Sequence, residues 1–200
     1  MENFGPSKLG PDMKGATRPV VRYRRNLVLG ATFFFTVALA DRRSSLLIDH
    51  ISNMRLAFRK ARSERPFDID AIVILPDHLH AIFTLPENDA DFSHRWRRIK
   101  TVFTQGVLCA GEALGRRDGT GRSLWQRRFW EHTIRNDADF SQHVDYIHYN
   151  PTKHGLASHP SAWPYSSLHR FIRQGLVAPD WGGKPVVGDE RGEPKLGADP

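Results

Sequence analysis

Apolar residues change their spacing several times along this chain, and each change marks an element. Ala31 to Ala40 reads ATFFFTVALA, a short aromatic and β-branched run that predicts a strand. Leu47, Ile51, Met54 and Phe58 then recur at helical spacing, with Ser52, Asn53, Arg55 and Arg59 between them. That helix is expected to stop near Arg65-Pro66, because proline disfavours helix in the residue before it. Phe67 to Pro76 (FDIDAIVILP) and His78 to Leu85 (HLHAIFTL) predict two more strands, paired as a hairpin across a turn at Pro76-Asp77. Phe92, Trp96, Ile99 and Phe103 set a second helix, whose other faces carry Arg95, Arg97, Arg98 and Lys100. A Gly- and Arg-rich loop from Gly111 to Ser123 leads to a fourth strand over Trp125 to Ile134 (WQRRFWEHTI). Phe140, Val144 and Ile147 lie on one side of a third helix, from about Asp137 to Asn150-Pro151, and a short fourth helix is expected over Ser166 to Arg173.

The order is βαββαβ followed by helix. It predicts an α+β fold, a ferredoxin-like antiparallel sheet with two helices on one face. The additional C-terminal helix is left over and is free to cover the other face. Residues 1–20 read as a flexible leader, 21–172 as one domain and 173–200 as a Gly/Pro-rich flexible tail.

Charge narrows the class of partner. The net formal charge is +7 over 200 residues. The first 20 residues carry three Lys/Arg against two acids, and residues 173–200 carry four against five. The middle therefore holds 22 minus 15, or the whole +7. A basic folded core between near-neutral ends is compatible with a polyanion, although plain solubility charge has the same composition. The single cysteine, Cys109, excludes an internal disulfide and a multi-cysteine zinc site. No apolar run is long enough to span a bilayer, and residues 1–20 lack an apolar signal core, so a cytoplasmic location is expected.

Candidate chemistry gathers in two segments. His78 and His80 are two apart in a strand, so both point to one face, while Leu79, Ala81, Phe83 and Leu85 point to the other. Two imidazoles so spaced can bind one metal ion. With ten histidines in the chain, roughly half a His-x-His pair is expected by chance, so the pair needs a partner to carry weight. The second segment is His143 to Gly155, HVDYIHYNPTKHG. At 100° per residue its core side is set by Phe140, Val144 and Ile147. Tyr146 and Asn150 share one flank, with His143 between them in angle, and Tyr149 points roughly away from the core. A lone tyrosine in such a place is more often packing than catalysis.

His78-Leu79-His80 after Leu-Pro-Asp resembles the His-hydrophobic-His metal motif of the single-tyrosine HUH nucleases. Trp125-Gln126-Arg127-Arg128-Phe129-Trp130-Glu131-His132 and Tyr146-Ile147-His148-Tyr149-Asn150-Pro151-Thr152-Lys153-His154-Gly155 resemble the REP-associated tyrosine transposases, a branch of the wider insertion-sequence tyrosine transposases. The likeness runs from about Tyr23 to Trp181. It implies a ferredoxin-like fold, Tyr146 as nucleophile, and a divalent ion (Mg²⁺ or Mn²⁺) held by His78, His80 and the amide Asn150. It also implies a bacterial source and a substrate of single-stranded DNA hairpins, REP-like palindromes. This branch tends to monomers and its wider relatives to dimers.

That residue set suits phosphodiester transfer. A tyrosine hydroxyl titrates near about 10 and is a weak nucleophile at neutral pH. A divalent cation polarises the phosphate and stabilises the leaving 3′ oxygen. Attack by the tyrosine leaves a 5′-phosphotyrosine that a second 3′ hydroxyl can reverse without ATP. Arg95, Arg97, Arg98, Arg127 and Arg128 are the expected phosphate contacts. Trp96, Trp125 and Trp130 could stack bases but at their spacing read as core. Asp77 reads as a turn acid ahead of an orienting partner for a histidine, and His132 and His143 read as ordinary surface histidines ahead of groups that support the metal ligands. Three other readings stay open: a DNA-hairpin binder without catalysis, a rolling-circle or relaxase-type nickase, and a metal hydrolase using water.

Overall fold

Alternation along two strands dictates the layers. The computed structural model describes residues 27–112 and 123–183. In β1 (Thr32–Ala38), Phe33, Phe35 and Val37 point to one side and Phe34 and Thr36 to the other. In β3 (His78–Thr84), Leu79, Ala81 and Phe83 share the first side, and His78, His80 and Ile82 the second. With β2 (Asp68–Ile74) and β4 (Trp130–Thr133) these strands form one antiparallel sheet in the order β2-β3-β1-β4. That is the strand order of the expected ferredoxin-like sandwich.

The first face is covered by α2 (Ile51–Glu64) and α3 (Phe92–Cys109). Phe33, Phe35, Leu79, Phe83, Met54, Phe58, Trp96 and Phe103 form its core. The Trp96 ring stacks on Phe83 at 4.8 Å and meets Phe35 edge-on at 5.4 Å. Fully burying an aromatic side chain of this kind stabilises the fold by about 1.5–3 kcal/mol. The second face is covered by α4 (Asp137–Lys153), whose Val144 and Ile147 pack with Phe34, Val73, Leu75 and Ile82. The leftover helix of the sequence pattern thus takes the open side of the sheet.

Local chemistry explains most boundaries. Arg65 is extended at the end of α2, as required before Pro66. Asp91 caps α3 by accepting from the His94 N–H at 2.9 Å, and Asn136 caps α4 by accepting from the Asp139 N–H at 2.9 Å. Four expectations need correction. The first predicted helix is broken at His50 into α1 (Leu46–Asp49) and α2. The fourth helix, α5 (Leu168–Arg173), begins two residues later than expected.

The fourth strand is shorter than Trp125–Ile134. Trp125 bridges Leu39 and Trp130 opposes Thr36, so the four residues 126–129 face only residues 37 and 38. The surplus chain loops out and leaves Arg127 and Arg128 exposed. Finally, α4 continues through Pro151 to Lys153. Pro151 lies in the last turn, so the one hydrogen bond it cannot donate, to the carbonyl four residues earlier, falls at the helix end. Gly155 then ends the helix at φ 67°, with Gly155 N–H donating to Thr152 O and Leu156 N–H to Pro151 O.

The expected leader 1–20 lies outside the described residues, as do 113–122 of the predicted loop and 184–200 of the predicted tail. Within the described part of that tail, the Trp181 ring meets the buried His148 at 6.0 Å, so the packed body runs past residue 172. Among the described residues no helix is long and apolar enough to cross a membrane.

Candidate active site

The second face of β3 places His78 and His80 under α4, both almost wholly buried. Their rings stand 5.0 Å apart, centroid to centroid. Each Nδ1 is occupied. His78 Nδ1 donates to Asp77 Oδ1 at 2.7 Å, and His80 Nδ1 lies 2.9 Å from Thr36 Oγ1. Each Nε2 is buried with no hydrogen-bond partner. With Nδ1 protonated, a neutral imidazole presents a lone pair at Nε2, and this is the tautomer a metal ligand needs. Burial lowers the pKa of both rings, His80 more strongly, so both are held neutral.

Asp77 is more than a turn acid. Its second carboxylate oxygen accepts from Arg42 Nε, so Arg42, Asp77 and His78 form a chain that fixes the ring. Burial would raise the Asp77 pKa, but the His78 bond and the Arg42 charge outweigh it and leave the pKa lowered. Thr36, the polar interruption in the run ATFFFTVALA, does the same for His80 and is its cross-strand partner. For Asp77 this role is the second reading of the sequence; for Thr36 it was not assigned. Thr36 could have been, because a lone hydroxyl facing the histidine side of a buried strand needs a partner.

Helix α4 brings the second segment onto this pair. The Tyr146 ring lies 5.1 Å from the His80 ring and 5.9 Å from Phe34, both edge-on. Asn150, one turn further along, is fully buried, and both its amide oxygen and nitrogen lack hydrogen-bond partners. Lys153 Nζ sits 5.2 Å over the Tyr146 ring, and the His154 ring meets His78 at 5.1 Å. His154 follows Tyr146 by eight residues, so the spacing Tyr146, Asn150, His154 could have flagged it. Tyr149 and Tyr146 are both half-buried.

The basic residues divide. Arg97, Arg127 and Arg128 are exposed. Arg98 is half-buried and bound to Glu64, with Nε donating to Oε2 at 2.7 Å. Arg97 and Arg98 lie on α3, across the sheet from His78 and His80. Arg95 does not face phosphate. It is 1% exposed and donates to Asp89 Oδ2, Pro66 O and Asp91 O. Its position three after Phe92 and four before Ile99 puts it on the apolar stripe, and its charge is spent on tying the start of α3 to the chain before β2. Arg95→Ala is expected to lower stability by about 2–3 kcal/mol in urea unfolding, with DNA affinity of the folded protein unchanged. Trp96 and Trp125 are core, and Trp130 is half-buried.

Comparison with known proteins bears on this arrangement. Residues 33–150 match the family "Transposase IS200 like". A REP-associated tyrosine transposase of Escherichia coli (strain K12) is 48% identical over 161 residues, covering 80% of this chain and 90% of that one. The chain belongs to the REP-associated tyrosine transposases. A relative in Haemophilus influenzae is 44% identical over 165 residues, covering 82% of this chain and 94% of its own. A solved REP-associated tyrosine transposase bound to a REP hairpin superposes with a TM-score of 0.77 at 44% identity, covering 89% of this chain and all of that one. The four-stranded antiparallel sheet and its helices match that structure, and tyrosine transposases are enzymes of the HUH class.

The residues present fit the divalent ion that this family implies. Two buried imidazole nitrogens and a buried amide oxygen, all without partners, form a donor set of mixed nitrogen and oxygen. An orienting carboxylate behind a ligand histidine is worth about 10–100-fold in metal affinity. Asp77→Asn is therefore expected to weaken Mn²⁺ binding by about that factor in titration calorimetry while the fold survives.

Proposed function

We propose that this transposase cuts and rejoins single-stranded DNA beside REP-like hairpins, with Tyr146 as nucleophile and His78, His80 and Asn150 holding a divalent ion. The observations that support the reading are the 5.0 Å approach of the His78 and His80 rings, the 5.1 Å contact of His80 with the Tyr146 ring, and the buried, unpartnered His78 Nε2, His80 Nε2 and Asn150 amide, the last one helical turn from Tyr146. An empty hydrogen-bonding capacity of that size inside a core costs stability unless something uses it. The relative solved with a REP hairpin supports the choice of substrate.

Bound there, Mg²⁺ or Mn²⁺ would withdraw charge from the scissile phosphate and the leaving 3′ oxygen. The chain's own groups do the rest. The Tyr146 hydroxyl oxygen bonds to phosphorus as the bond to the 3′ oxygen breaks, the phenolic proton is released, and the departing oxygen takes up a proton. The products are a 5′-phosphotyrosine and a free 3′ hydroxyl. Lys153, over the tyrosine ring, supplies positive charge where the phosphoryl oxygens gather. Asp77 accepts from His78 Nδ1–H and so keeps that ring in the Nδ1–H tautomer, while Thr36 Oγ1 engages His80 Nδ1 and leaves its Nε2 for the ion. A second 3′ hydroxyl reverses the step, so the reaction is transfer rather than hydrolysis. Incubating the protein with a REP-like hairpin oligonucleotide and Mn²⁺ should give a covalent protein–DNA adduct; free 5′-phosphate ends without adduct would favour water as nucleophile.

The exposed Arg127 and Arg128, on the loop-out beside β4, are the proposed phosphate contacts, with Arg97 more distant. Affinity for the hairpin should fall with salt at a slope of about −0.7 to −0.9 per neutralised phosphate. Arg127→Glu with Arg128→Glu should flatten that slope by about two phosphates' worth in fluorescence anisotropy. An unchanged slope would remove them from the interface.

A further inference from the structure

We propose that His132, Asp139 and His143 form a second divalent-metal site, suited to a borderline ion of the zinc class, that fastens strand β4 to the helix bearing Tyr146. The three residues offer one ligand atom each within 4.8 Å of one another. His132 comes from β4, and Asp139 and His143 lie four apart on one face of α4. One carboxylate already serves both imidazoles. His132 Nε2 is 2.9 Å from Asp139 Oδ2, and His143 Nδ1 is 3.2 Å from Asp139 Oδ1. The side chains keep 22%, 12% and 14% of their exposure, so an ion and a water ligand can reach them while most of the surroundings are protein.

Two imidazoles and a carboxylate are a common ligand set for zinc and its neighbours, with solvent at the remaining position. Asp139 stays ionised, because the His132 bond and the Arg135 backbone N–H outweigh the effect of burial. Burial holds His143 neutral. The ion-free arrangement must give up three contacts. His143 Nδ1 also donates to Asp139 O at 2.8 Å, Arg135 Nε reaches Asp139 Oδ2 at 3.4 Å, and the His132 and His143 rings are stacked at 16°. Binding therefore turns the His143 ring out of the stack and replaces the His132–Asp139 hydrogen bond, with each ring's N–H on the nitrogen turned away from the ion.

This cluster is separate from the pair on β3. The ring of Phe34 lies between them, stacked on His80 at 5.6 Å and against His143 at 4.7 Å. An ion on the outer side would hold α4 to the sheet edge from within its first two turns, upstream of Tyr146. The site stands whether or not Tyr146 is the nucleophile.

The test removes the first pair and counts what remains. Full-length protein carrying His78→Ala and His80→Ala should bind one equivalent of Zn²⁺ in equilibrium dialysis, against two for the wild type. Its melting temperature should rise with Zn²⁺. Adding His132→Gln and His143→Gln should abolish that remaining equivalent and the thermal shift, with circular dichroism reporting the fold. Asp139→Asn in the same background, which keeps the amide-sized group, should weaken binding at least tenfold. No zinc bound by the His78→Ala/His80→Ala protein would overturn the proposal. So would zinc that persists at full stoichiometry after His132 and His143 are replaced. If the four-site variant does not fold, the Asp139→Asn protein decides: undiminished zinc affinity there sinks the site.

Discussion

Tyr146→Phe is expected to fold, to bind a REP-like hairpin and a divalent ion normally, and to form no covalent adduct. The substitution removes one oxygen and keeps the ring that packs against His80 and Phe34. Since the hydroxyl is the proposed nucleophile, strand cleavage should fall by about three orders of magnitude or more. Tyr149→Phe should retain most of the activity. The two residues are three apart on one helix and both half-buried. What separates them is the ring contact of Tyr146 with His80. Mass spectrometry of the trapped adduct checks the assignment: the nucleotide should be found on Tyr146. A nucleotide on Tyr149, or cleavage by Tyr146→Phe at the wild-type rate, would refute it.

The second large effect is expected from the histidines. His80→Ala should abolish cleavage while leaving hairpin affinity within a few-fold. Losing an orienting neighbour of a ligand costs about 10–100-fold in metal affinity, so losing the ligand itself should cost more. His80 is wholly buried, and removing its ring leaves a cavity and breaks its bond with Thr36 Oγ1, so a stability loss of about 1–3 kcal/mol is expected alongside. His78→Ala, which removes a buried ring packed against His154, should lose cleavage equally. The control is a melting curve taken with hairpin binding. If both variants cut normally with Mn²⁺, the two imidazoles are not the metal site.

Alternation made the sheet legible. The repeat of two in HLHAIFT sends Leu79, Ala81 and Phe83 to one core and His78, His80 and Ile82 to the other, and the structure has that partition. Helical spacing likewise put Val144 and Ile147 inward, and with them the flank bearing Tyr146 and Asn150. Several features were hidden because period alone does not contain them. In WQRRFWEHTI the aromatic residues read as one strand, yet a two-residue surplus interrupts the pairing with β1. Arg95 was taken by its charge for a surface group, although its angle belongs to the apolar stripe. Asp77 beside His78 is compatible both with a turn acid and with an orienting partner, and the bonds to His78 and to Arg42, thirty-five positions earlier, decide between them. The hydrogen-bond chains behind the two histidines join residues from three separate segments, and such long-range partners leave no periodic trace.

Strand β3 lies between β2 and β1, and its two faces belong to different tasks: one completes a hydrophobic core and the other carries both imidazoles. A displacement of that strand by one residue would exchange the two sets, burying the histidines among Phe58, Phe67 and Trp96 and turning Leu79 and Ala81 toward Tyr146. Folding correctly and having a working site are thus the same event in this strand. Any mutation that loosens its pairing therefore costs twice, first as lost packing and again as lost chemistry.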